Sequence, residues 1–221
     1  NMSKTFTKLG KEISVAVKQG GPDPELNPRL RVIIQNAKAA NMPKDNVENA
    51  IKKASAKDAA TLEESNYEGY GPHGVAVWVE TATDNPTRTV ANVRSYFNKV
   101  NGQLGTSGSL EFIFDRKGVF TIPAAGIERD DLEMTLIENG AEDIQELDDD
   151  IIAYTSFQDF ITMQRALETA GIAVTSAELR RIPNNLVTLT DEQAEDIIKL
   201  IDKLEEDDDV QNVFHNMNES E

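Results

Sequence analysis

The chain has 221 residues, 39% of them hydrophobic and 28% charged, with a formal net charge of −17 and no cysteine. That is a globular balance at a length that predicts two or three domains. The missing cysteine excludes disulfides, thiolate nucleophiles and cysteine zinc sites. No apolar run approaches the roughly 20 residues of a membrane helix. The opening Asn1-Met2-Ser3-Lys4 has no apolar core or cleavage site, so a soluble, cytoplasmic protein without a membrane partner is expected.

The charge is unevenly spread. Residues 1–60 hold 11 Lys+Arg against 6 Asp+Glu, a net of +5, whereas the other 161 residues hold 11 against 33, a net of −22. A basic binding module joined to an acidic body is the expected arrangement.

Residues 1–57 read as three amphipathic helices. Phe6, Leu9, Ile13 and Val17 recur at helical spacing, with Lys4, Lys8, Lys11 and Lys18 on the opposite face. After Gly20-Gly21-Pro22 a second helix buries Leu26, Leu30, Ile33, Ile34 and Ala37, leaving Arg29, Arg31 and Lys38 off the stripe. Pro43 suits the first turn of a third helix, which buries Val47, Ala50, Ile51 and Ala54 and carries Lys44, Lys52 and Lys53. Residues 55–63 are small and polar and read as a linker.

Next, Gly69, Gly71, Pro72 and Gly74 punctuate a turn, and 75–79 reads as a buried strand. Asn85 and Pro86 start a helix that buries Val90, Val93, Phe97 and Val100 and ends at Gly102; 110–114 is the next expected strand. Residues 118–183 run strand, helix, strand, strand, helix, strand, with Gly140 and Gly171 at the helix ends, which is the ferredoxin-like order. The last segment reads as a strand at 186–189, a helix opened by a Thr190/Gln193 capping box that buries Ala194, Ile197, Ile198, Ile201 and Leu204, and a strand at 210–214. These elements cannot bury their apolar surface alone.

The predicted fold class is therefore α+β: an N-terminal three-helix domain followed by two α/β, ferredoxin-like domains, one inserted into the other. The expected boundaries are 1–60 for the basic helical domain, 61–117 plus 184–221 for a discontinuous middle domain, and 118–183 for the insertion.

Little in the chain resembles catalytic machinery. His73 and His215 are the two histidines, and neither lies in a nucleophile motif. No metal-ligand spacing is present, so no catalytic residue, metal or cofactor is expected. The acidic run 205–209 follows a helix C-terminus, where the dipole disfavours negative charge. A solvated turn is the favoured account, against a basic partner or a loosely held cation. The loop 102–109 has small residues whose N–H groups can converge on an anion; Gly105, Thr106, Ser107 and Gly108, with Arg88, are the candidates, against a plain connecting loop. The lysine stripe of the first helix is either a solvated face or a phosphate-binding one, and the basic total over 1–60 favours binding. The candidate nucleic-acid contacts are Lys4, Lys8, Lys11, Lys18, Arg29, Arg31, Lys38, Lys44, Lys52 and Lys53.

Several runs then carry a resemblance: Phe6-Thr7-Lys8-Leu9; Gly20-Gly21-Pro22-Asp23-Pro24 with Asn27-Pro28-Arg29-Leu30-Arg31; Asn41-Met42-Pro43-Lys44-Asp45-Asn46; Tyr67-Glu68-Gly69-Tyr70-Gly71-Pro72; Asp84-Asn85 with Arg88-Thr89; Leu104-Gly105-Thr106-Ser107-Gly108-Ser109; and Asp208-Asp209-Val210-Gln211-Asn212-Val213-Phe214-His215-Asn216. In order and spread, the chain resembles the YebC family. The resemblance implies a helical N-terminal domain followed by two α/β domains, and a non-enzymatic regulator of gene expression. Family members are labelled DNA-binding transcriptional regulators, mitochondrial relatives are translational activators for cytochrome oxidase, and others are implicated in relieving stalled ribosomes. The family's usual basic opening segment with a Ser-Lys-Trp motif is not among these residues. The preferred expectation is a ribosome-associated translation factor that contacts ribosomal or transfer RNA; the alternatives are a DNA-binding transcriptional regulator, and an enzyme or small-molecule sensor that uses a cleft between domains with the loop 102–109 as its anion site.

Overall fold

A computed structural model describes residues 2–219. In chain order the elements are α1 (Met2–Gly20), a short 3-10 turn (Pro24–Leu26), α2 (Pro28–Ala39), α3 (Lys44–Ser55), β1 (Glu63–Tyr70), β2 (Ala76–Thr83), α4 (Pro86–Lys99), β3 (Gln103–Leu104), β4 (Phe114–Pro123), α5 (Arg129–Glu138), β5 (Ala141–Leu147), β6 (Asp150–Ser156), α6 (Phe160–Thr169), β7 (Ser176–Pro183), α7 (Asp191–Glu206) and β8 (Val210–His215). The class is α+β, with a helical N-terminal region followed by two four-stranded sheets. The chain divides into two compact units. One takes the residues up to Lys11, Ala60–Asp115 and those from Arg181 on; the other takes Glu12–Ala59 and Arg116–Arg180.

The first unit is built on a sheet of order β3-β1-β2-β8. Alternation in β2 sends Val77 and Val79 to one face, where, with Val75 just before the strand, they pack with Val93 and Phe97 of α4 and Ile197, Leu200 and Leu204 of α7. The other face carries Ala76, Trp78 and Phe214, covered by Leu110 and Phe114. Asn85 caps α4 by accepting from the Arg88 N–H (3.1 Å), and the Thr190/Gln193 capping box opens α7 as its spacing predicts.

The second unit holds a sheet of order β5-β6-β4-β7 with α5 and α6, the split βαβ plan expected from its pattern. Phe120, Ile122, Leu136, Met163 and Leu167 fill its core, and Val32 of α2 belongs to the same cluster. Gly140 and Gly171 follow α5 and α6 with φ of +103° and +69°, the left-handed conformation of helix C-caps. Asn36 of α2 pairs with β7 as a neighbouring strand would: it accepts from the Ala177 N–H and donates to the Ala177 carbonyl, both at 2.9 Å. Asn27, 4% exposed, caps α2 through the Leu30 N–H (3.1 Å) and ties in α1 by donating to the Ala16 carbonyl (2.9 Å).

Several local expectations are corrected. Glu63, expected in the linker, and Gly69, expected in the turn, both lie in a full strand over 63–70, because every residue of β1 finds a partner on β2; the turn follows at Pro72–Gly74. Residues 110–113 are turns rather than strand; β4 starts at Phe114, and the Leu110 N–H bonds a side chain instead of a ladder partner. The strand expected at 186–189 reduces to one bridge, Val187 to Met217. Leu26 and Ile198 are not on buried stripes but 77% and 48% exposed. For Leu26 the cause is that Asn27 caps the helix one residue later, leaving Leu26 in the preceding 3-10 turn.

Candidate nucleic-acid interface

The lysine stripe and the acidic run meet inside the first unit. The last carbonyls of any helix lack intrahelical donors and sit at the negative end of its dipole, and α7 compounds this with carboxylates at 205–209. Three lysines of α1 offset both. Lys4 Nζ donates to the Glu206 carbonyl and to Asp208 Oδ1 (3.1 Å). Lys8 Nζ donates to the Glu205 carbonyl at 2.8 Å. Lys11 Nζ donates to the carbonyls of Asp208 (2.7 Å) and Ala82 (3.1 Å) and lies 3.5 Å from Asp209 Oδ1. Burial pushes the Lys8 ammonium below its ordinary pKa, against the pull of the Glu205 charge.

Asp209 closes the cluster. Its side chain is 5% exposed and accepts from Arg88 Nε (3.0 Å), Arg88 Nη2 (2.8 Å) and Thr89 Oγ1 (2.9 Å). Burial alone would raise its pKa, but the hydrogen bonds from Arg88 and Thr89 and the Lys11 charge hold it below the usual carboxylate range. The same bonds, with those to Asp84, raise Arg88 above its ordinary value. Arg88 is thereby committed to Asp209 and Asp84.

The loop after α4 also has an internal anion. Glu68, 2% exposed on β1, accepts from the Gly108 N–H (2.6 Å) and the Leu110 N–H (2.8 Å), while its carbonyl accepts from the Gly105 N–H (2.7 Å). Three of the loop's donors are therefore taken, and Thr106, Ser107 and Gly108 are left exposed on a fixed loop.

The remaining predicted contacts lie in the second unit. Lys18 Nζ donates to the Ala59 carbonyl (3.0 Å), Arg29 to Gln19 Oε1 (2.7 Å), and Arg31 pairs with Glu168. Lys44 is 3.7 Å from Glu48, with both side chains largely exposed, a pair worth little. Among the described residues Lys38, Lys52 and Lys53 are exposed and meet no partner. Lys44 and Lys52 are eight residues apart on α3, about 12 Å along one face.

The two histidines are otherwise engaged. His73 sits in a turn at φ 64° with Nε2 2.9 Å from Asp196 Oδ2, and His215 Nδ1 accepts from the Met217 N–H (3.1 Å). Among the described residues no group of three or more His, Asp or Glu could hold a metal, and no helix is long and apolar enough to cross a membrane.

With this geometry fixed, comparison with known proteins is decisive. Residues 1–57 match the family model described as the TACO1/YebC protein N-terminal domain, and residues 62–217 match the TACO1/YebC second and third domain. The chain belongs to the YebC family. A family relative from Parabacteroides distasonis, named a probable transcriptional regulatory protein, is 59% identical over 222 residues, covering 100% of this chain and 91% of the relative. One from Porphyromonas gingivalis with the same name is 58% identical, covering 100% and 92%. The crystal structure of a conserved hypothetical protein from Aquifex aeolicus is 43% identical with a TM-score of 0.85, covering 98% of this chain and 90% of that one. In this YebC-family chain, sequence reasoning picked out the lysine stripe and the acidic run separately but not that each is the other's partner. It also missed Glu68, whose only sequence signal is a carboxylate in an otherwise inward-facing register opposite Trp78.

Proposed function

We propose that this chain is a non-enzymatic regulator of gene expression that binds nucleic acid through the exposed basic residues of α2 and α3, and that it acts as a ribosome-associated translation factor in the cytoplasm. The observation that carries the reading is the set of solvent-facing cations Lys38, Lys44, Lys52 and Lys53 in the basic part of the chain. Lys38, Lys52 and Lys53 stand free for phosphate and Lys44 has only its weak exposed pair with Glu48, while Lys4, Lys8 and Lys11 are spent on the end of α7 and the acidic run after it. Lys18, Arg29 and Arg31 flank them and are engaged by Ala59, Gln19 and Glu168. A ribosome offers both RNA phosphate and basic protein, whereas duplex DNA offers only phosphate, which repels a −22 body.

The second reading is a DNA-binding transcriptional regulator, favoured by the names of the relatives. It requires at least about a thousandfold preference for a defined duplex over random sequence. Sedimentation of the full chain with ribosomes through sucrose separates the two. Co-migration that survives DNase and is lost with RNase or high salt supports the translation factor. A protein that stays at the top of the gradient and binds one duplex specifically supports the transcriptional regulator and overturns the first reading.

A further inference from the structure

Beyond residue 60, 33 of 161 residues are acidic, yet none of the 26 residues from 85 to 110 is. That run consists of α4 and the loop pinned by Glu68, and it carries Arg88, Arg94 and Lys99. Arg88 is committed to Asp209 and Asp84. Arg94 and Lys99 are exposed and, among the described residues, meet no partner; with Ala91, Ser95 and Asn98 they line a shallow groove along the outer face of α4. The groove thus has two free cations and two neutral polar side chains. Lys99 in the last turn also complements the helix dipole, but Arg94, in the helix interior, has no such use.

A solvated helix face in this acidic body has no reason to exclude carboxylates, since exposed Asp and Glu serve solubility as well as Lys and Arg do. A surface that meets phosphate does, because one misplaced carboxylate opposes every nearby contact. The adjoining loop adds rigidity. Gly102 has no room for a Cβ, which would lie 2.7 Å from the Tyr70 carbonyl of β1, and its N–H donates to the Phe97 carbonyl (2.8 Å), closing the end of α4.

We propose that the outer face of α4, centred on Arg94 and Lys99, is a second contact surface for an RNA phosphodiester backbone. This rests on the reading of the chain as an RNA-binding regulator and extends it to a surface outside the basic helices.

The test is fluorescence anisotropy of the full chain with a labelled 20-nucleotide single-stranded RNA and a 20-base-pair DNA duplex, between 50 and 200 mM KCl. The variants are Arg94→Glu, the double Arg94→Glu/Lys99→Glu, Lys44→Glu/Lys52→Glu on α3, and Arg165→Glu, an exposed cation on α6 with the same change of charge as Arg94→Glu. The double α4 variant is expected to weaken RNA binding at least about tenfold at 50 mM KCl and to flatten the log–log salt slope by about 1.4, roughly 0.7 for each lost single-strand phosphate contact. Arg165→Glu should change affinity less than about twofold. Should charge reversal on α4 perturb folding, Arg94→Gln/Lys99→Gln is expected to give the same slope change with the melting temperature retained. Equal losses from Arg165→Glu and Arg94→Glu, or none on α4 while the α3 variant weakens binding, overturn this inference and leave the function reading standing. Binding to the duplex alone overturns the RNA assignment. A wild-type chain that binds neither probe overturns both.

Discussion

Arg88 grips Asp209 with two parallel bonds, Nε to Oδ2 at 3.0 Å and Nη2 to Oδ1 at 2.8 Å, across 121 residues of sequence. The fork geometry suits a carboxylate whose side chain is 5% exposed, because the buried charge needs its lone pairs filled. Thr89, one residue on, supplies a third donor. Removing the carboxylate strands these donors, so Asp209→Ala is expected to cost about 3 kcal/mol, measured by urea denaturation. Arg88→Lys keeps the charge but loses the fork, and should lower the melting temperature by less. A variant as stable as the wild type would show the bonds to be incidental.

The same site sets a pH dependence. In the fold Asp209 has a lowered pKa, so the folded state holds its proton less tightly than the unfolded chain does. Its stabilisation is complete above the unfolded value of roughly 3.9. It is lost as pH falls through the folded value. Asp209→Asn should therefore show a shallower fall in stability below about pH 4 than the wild type does. Parallel acid profiles for the two would contradict this assignment.

Glu68 holds the loop after α4 by accepting from Gly108 and Leu110. Glu68→Ala leaves both N–H groups without their acceptor, at a cost of about 2–4 kcal/mol for two lost charge-assisted bonds. Hydrogen exchange at 106–111 should rise by more than in β2 or α4. Uniform acceleration across the first unit would mean that Glu68 supports the whole sheet and not the loop.

Where β1 meets β3, a Cβ on Gly69 would lie 2.7 Å from the Gln103 carbonyl and 3.0 Å from the Leu104 Cα, both backbone atoms that cannot step aside. Gly69→Ala is expected to destabilise by about 1–3 kcal/mol through this overpacking, read as a lower urea midpoint. An unchanged midpoint would mean that β3 detaches without cost.

The lysines of α1 and α3 should separate by their readouts. Lys4→Gln/Lys8→Gln/Lys11→Gln removes donors from the end of α7 and is expected to lower the melting temperature by roughly 3 °C or more, with little change in the salt slope of RNA binding. Lys44→Gln/Lys52→Gln/Lys53→Gln should do the reverse, leaving stability alone and flattening the slope by about 2. If the α1 variant instead flattens the slope, the lysine stripe serves nucleic acid after all.

The sequence by itself determined what depends on neighbours a few residues apart. Helical spacing placed α1 and α7, Asn85 and the Thr190/Gln193 pair announced their caps, and Gly140 and Gly171 marked helix ends, because caps and amphipathic stripes are local physics. The order of elements over 118–183 likewise gave the ferredoxin-like sheet. What only the tertiary structure decided is the partner of each charge and of each weakly patterned strand. β1, with its run Glu63-Glu64-Ser65-Asn66, has no strand signature of its own and exists through its ladder with β2. Lys4, Lys8 and Lys11 read as a binding face until the end of α7 and the acidic run after it, about 200 residues later, are seen to receive them. Glu68 looks like one more surface carboxylate until the loop 40 residues on closes over it. Charge types and helical periodicity are written in short windows of sequence; which charges desolvate together is fixed by contacts at long separation, and those follow only from packing.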